Sequence, residues 1–73
     1  MDSKKLLKRI KNNPEISLLL NDVGAEVGIA YQGETMLLAI DLNDGIPEGM
    51  EDKYNTTLDR ISEIASSIMK SEL

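Results

Sequence analysis

Seventy-three residues with a formal net charge of -5 bound one small, acidic domain. A chain this short buries a smaller share of its surface than an ordinary domain, so it needs a disulfide, a metal, a partner or very close packing. With no Cys and no His, disulfides and thiolate sites are excluded, and the commonest zinc ligand and general base are missing. No cofactor is expected, and the lack of Cys fits a cytoplasmic protein.

The first predicted element is a helix over residues 3–12. Leu6, Leu7 and Ile10 form one apolar stripe, and Asp2 or Ser3 suits the N-cap. Lys4, Lys5, Lys8, Arg9 and Lys11 fall on the opposite side and are the candidate anion contacts. They face only Asp2 within residues 1–11, whereas the remainder carries twelve acids against Lys53, Arg60 and Lys70. The charge pattern is therefore a basic helix attached to an acidic body. The start "MDSKKLLKRIKNN" has no long apolar run and does not read as a secretory signal. The run "MLLAI" is too short to span a bilayer. Without a secretory context, the final "KSEL" and the sequon at Asn55 are coincidences.

Pro14 cannot continue the helix but suits the first position of a new one. A second helix is predicted over 14–21, with Asn13 as its cap and Ile16, Leu19 and Leu20 as its apolar stripe. One helix kinked at Pro14 is the alternative.

Residues 23–42 alternate as a β-hairpin. A two-residue turn at Gln32-Gly33, with glycine supplying positive φ, sets Tyr31 opposite Glu34, Ile29 opposite Met36, Val27 opposite Leu38, Ala25 opposite Ile40 and Val23 opposite Leu42. One face then holds Val23, Ala25, Val27, Ile29, Tyr31, Met36, Leu38, Ile40 and Leu42. The other holds Gly24, Glu26, Gly28, Ala30, Thr35, Leu37, Ala39 and Asp41. A slip by one residue would mix the two faces. The second face is small and lightly charged, unlike an ordinary solvated strand face. Gly24, Gly28, Ala30, Thr35, Leu37 and Ala39 are therefore the expected partner or dimer interface.

After the loop "NDGIPEG" a long helix is predicted over 48–72. Met50, Tyr54, Leu58, Ile61, Ile64, Ala65 and Ile68 recur at helical spacing, and Glu48, Glu51 and Asp52 suit the N-terminal dipole. The expected fold is α+β in the order α-α-β-β-α, with helices on one face of a two-stranded hairpin. Two strands alone are marginal and both have a free edge, so a second copy that extends the sheet, or another protein, is the expected cover.

Other chemistry finds little support. "DLNDGIPEGMED" places Asp41 and Asn43 where an EF-hand loop has its first two ligands. Asp44 and Gly45 arrive one residue early, and Asp52 stands in place of the bidentate Glu. It reads as a strand-to-helix connection. No spacing pairs a nucleophile with a base, and "YQGETM" lacks the Lys-Ser pair of a phosphate loop. Nucleic-acid contact by the basic helix is disfavoured, because the chain is acidic and has only Tyr31 and Tyr54 to stack on bases. The acidic body could mimic nucleic acid, as in small phage inhibitors, but ordinary solubility charge is the favoured account.

No motif identifies a family. A hairpin followed by a helix carrying "TTLDRISEIA" resembles, in architecture and over the C-terminal two-thirds, the small dimeric subunits of the KEOPS tRNA-modification complex. The leading strand of that family is replaced here by "KKLLKRIKNNPEISLLL". The resemblance implies a small assembling subunit and transfers no residue roles. The expected function is a non-enzymatic protein-binding module, an inhibitor or regulator of the kind phages and mobile elements encode. The alternative is a homodimeric accessory subunit.

Overall fold

The computed structural model describes residues 3–71. Its elements are α1 (Ser3–Lys11), α2 (Pro14–Val23), β1 (Ala25–Gln32), β2 (Thr35–Leu42) and α3 (Glu51–Ser71). This is the α+β order read from the sequence.

Two helices, rather than one kinked helix, precede the hairpin. Asn13 is extended (φ -65°, ψ 123°), as the residue before a proline tends to be. Its side-chain Oδ1 accepts the Ile16 N–H at 3.0 Å and caps the new helix. The alternative capping residue of α1, Asp2, lies outside the described residues, and α1 ends at Lys11 rather than at 12.

α2 continues two residues beyond the predicted 21 and ends at Val23, which is buried. Gly24 follows in the left-handed conformation (φ 63°, ψ 46°), and its N–H donates to the Leu20 carbonyl. A glycine makes that cap at little steric cost. Val23 and Gly24 are therefore a helix end and its cap. Neither belongs to the strand, and Gly24 does not belong to the expected contact face.

The hairpin register also differs from the expected one. The ladder pairs Gln32 with Thr35, Tyr31 with Met36, Ile29 with Leu38, Val27 with Ile40 and Ala25 with Leu42. The turn residues are Gly33 and Glu34 rather than Gln32 and Gly33. Gly33 has φ 62° while Glu34 has no positive φ, the pattern of a turn with glycine first. Relative to the expected pairing each residue moves by two along its partner. Side chains repeat every two residues, so the face assignments of 25–42 survive the shift.

α3 begins at Glu51, not at 48. Gly49 has φ 85°, and the Met50 N–H donates to the Pro47 carbonyl at 3.1 Å, closing a turn before the helix. The Met50 carbonyl then accepts the Tyr54 N–H at 3.0 Å. Glu72, the predicted end, lies outside the described residues.

Leu6, Ile10, Ile16, Val27, Ile61 and Ala65 form one buried cluster. α1 and α2 pack on β1, and α3 packs on β2 and α2. Thr57 is buried too, and its hydroxyl donates to the Lys53 carbonyl at 2.9 Å, so the burial leaves no unsatisfied polar atom there. α2 lies antiparallel to α3 along an ion-pair ladder. Arg60 donates to the two Glu15 oxygens at 2.8 and 3.3 Å, and Lys53 lies 3.9 Å from Asp22. These pairs are half-exposed and fix orientation more than they add stability.

Ile61 is fully buried at the centre of this cluster. Ile61→Ala is expected to cost about 2–5 kcal/mol, against roughly 4–11 kcal/mol for a chain of this length. Urea denaturation followed by circular dichroism measures it. Glu15→Gln should give a much smaller loss that shrinks as salt rises.

Candidate interaction surface

The helices lie on one side of the hairpin. On the other side Glu26 pairs with Asp41, Gly28 with Ala39, Ala30 with Leu37 and Gln32 with Thr35. Five of the six residues expected to make contact, Gly28, Ala30, Thr35, Leu37 and Ala39, share this face. A Cβ built on Gly28 meets nothing within 4 Å, and the Gly28 backbone needs no positive φ. The fold therefore does not require glycine at 28. Glycine within a strand weakens it, so the face stays flat at a cost in stability. Leu37 is the one large apolar side chain on this face, 41% exposed.

The base of the face is acidic. Glu26 and Asp41 are cross-strand neighbours, and like charges placed so are unfavourable. Among the described residues neither carboxylate has a cation at ion-pair distance.

The helix-facing side is covered unevenly. Val27, near the base, is 6% exposed, Ile29 is half-buried, and Tyr31, at the tip, is 58% exposed. The Tyr31 hydroxyl reaches only the Met36 Sδ, at 3.9 Å. The hairpin tip thus projects beyond the helix layer, and Tyr31 is not a core residue. Its place beside the turn, far from the strand ends that the helices anchor, is the signal that alternation alone misses. Leu18 on α2 is 70% exposed, and it lies off the Ile16, Leu19 and Leu20 stripe.

All five cations of α1 are exposed. Lys4, Lys8 and Lys11 line a shallow groove of about 300 Å³ with Leu7 and Asn12. Arg9 is turned elsewhere and donates to Ser71 Oγ at 3.1 Å, tying α1 to the end of α3. The basic side is thus divided between the groove that Lys4, Lys8 and Lys11 line and the contact that Arg9 makes with α3.

A groove of about 550 Å³ runs along the solvent side of α3 past Asp59, Ser62, Glu63, Ser66, Ser67 and Lys70. No hydrogen bond among the described residues joins any of these serines to a base. No group of three or more acidic side chains among them is arranged to hold a metal ion, and no helix is long and apolar enough to cross a membrane. The clear departure from ordinary ionisation is at Arg60, raised mainly by its hydrogen bond to Glu15 and then by that carboxylate's charge. A raised arginine adds stability at every pH below its unfolded pKa and loses it only in strong alkali.

No family model matches the chain, and no match was found among curated proteins or solved structures.

Because Gly28 has open space above it, Gly28→Thr should raise stability by about 0.5–1 kcal/mol. A higher denaturation midpoint with unchanged circular dichroism is the expected result.

Proposed function

We propose that this chain is a small non-enzymatic protein-binding module that acts as an inhibitor or regulator by docking on another protein. The observation that carries the reading is the open hairpin face, where Gly28, Ala30, Thr35, Leu37 and Ala39 leave a flat surface around the exposed Leu37. A flat face of small residues lets a partner's side chains approach the backbone closely. The unpaired Glu26 and Asp41 at its base favour a partner that presents a lysine or arginine there. Interface energy concentrates in a few buried anchors, and Leu37 is the one large apolar side chain this face offers.

Catalysis has weaker support. The grooves are shallow, and the serines along α3 have no activating base. Nucleic-acid contact through Lys4, Lys5, Lys8, Arg9 and Lys11 is supported least, since Arg9 already serves the fold and aromatic platforms are absent from α1. The homodimeric reading has one observation in its favour, the open edge of β2, taken up below.

The test is crosslinking in cells, followed by purification of the captured protein and titration with purified chain. Gly28→Arg and Ala39→Arg should each weaken binding at least tenfold while circular dichroism stays unchanged. Leu18→Arg, on α2, should bind as the parent does. Undiminished binding by both face variants would overturn the assignment.

A further inference from the structure

The two edges of the sheet are not alike. Near its base β1 is walled by α1 and α2, where Ala25, Glu26 and Val27 line a cleft with Lys11, Ser17, Leu20 and Asn21. Lys11 at that cleft is the kind of charge that discourages further strand pairing. β2 has only β1 as its neighbour in the sheet. No hydrogen bond from the described residues reaches its outer backbone groups. Its sequence, "TMLLAIDL", contains no Lys, Arg or Pro and its pairing no bulge, so Asp41 near one end is the only one of the usual edge protections present in the strand. Its helix-facing side is also incomplete. Met36, Leu38 and Ile40 pack against the core, yet each is only partly buried, whereas Val27 on β1 is buried.

We infer that β2 pairs antiparallel with β2 of a second copy, about a two-fold axis at Leu38, to give one four-stranded sheet. The strand is self-complementary in that register. Leu38 meets Leu38, Met36 meets Ile40 on the helix side, and Leu37 meets Ala39 on the open side. Asp41, the only charge in β2, meets Thr35, whose hydroxyl can donate to the carboxylate. No like charges oppose each other. Moving the axis to Ala39 would set Leu37 against Asp41. A slip of half that step would put apolar residues opposite the open side. The pairing keeps all the helices on one side of the sheet, and α1 and α2 beside Ala25, Glu26 and Val27 obstruct the base of each outer β1 edge. It also supplies the extra strands that a lone hairpin lacks. A second copy is favoured over a foreign strand because this match needs nothing beyond β2 itself. The inference concerns an edge and is separate from the docking face.

The chain has no cysteine, so single cysteines report the register directly. Thr35→Cys and Asp41→Cys both lie on the exposed open side. In the inferred pairing position 35 of one copy faces position 41 of the other at about 4.5–5.5 Å between Cα atoms, within disulfide reach. Like positions are six residues apart along the strand, roughly 20 Å. An equal mixture of the two variants under mild oxidation should give a mixed disulfide of twice 8.1 kDa, while each variant alone gives none. No mixed product, or homodisulfides formed as readily as the mixed one, would overturn the inference. Gly28→Arg added to both variants should leave the crosslink intact, so its persistence alongside lost partner binding separates the edge from the face.

Discussion

The shared burial of Val27, Ile61 and Ala65 is the constraint on which the rest depends. A hairpin by itself is marginal in water. This one is held because three helices present a single apolar surface to one side of it, with Leu6 and Ile10 from α1, Ile16 from α2 and Ile61 from α3 fully or almost fully buried. Among the described residues all three helices lie on that side, and none lies on the other. The flat face and the free edge are thus consequences of how the core is built. The core also lies closer to β1 than to β2, which makes β2 the margin of the molecule.

How much of this was legible follows from the period of each element. The two hairpin faces were readable because alternation is a period-two signal, and it tolerates an error of two in register. The turn was misplaced by one residue for that reason: pairings centred on Gln32-Gly33 and on Gly33-Glu34 sort the side chains alike. Only the backbone decides between them, through Gly33 alone taking positive φ. Gly24 was assigned to the strand because Val23 and Gly24 continue the alternation. A helix cap is set by local backbone geometry, and the end of α2 took precedence. Gly49 hid the start of α3 in the same way, since the acids before it suit a helix N-terminus as well as a turn. The five small residues that share the open face follow from alternation. The difference between the two edges does not, because it depends on where α1 and α2 cross β1.

Charge plays a smaller part than composition suggests. The ion pairs seen among the described residues run between α2 and α3 or within α3. They run along the antiparallel packing of two helices, with the Arg60 guanidinium held above its ordinary pKa first by its hydrogen bond to Glu15. Among the described residues Glu26 and Asp41 have no ion-pair partner at one end of the open face, so they give that end a negative charge without contributing to the fold.

The measurement that tests the one-sided core most directly is amide hydrogen exchange, resolved by residue and repeated over a wide range of protein concentration. The account predicts the slowest exchange around Ile61 in α3 and at Glu26 and Gly28, the ladder amides that flank Val27 in β1. Half of the β2 amides, those on its outer edge, should exchange fast in dilute solution and slow down as concentration rises. Protection of those outer β2 amides equal to that of Ile61 at every dilution would contradict it, because the edge of β2 would then be as deeply held as the core.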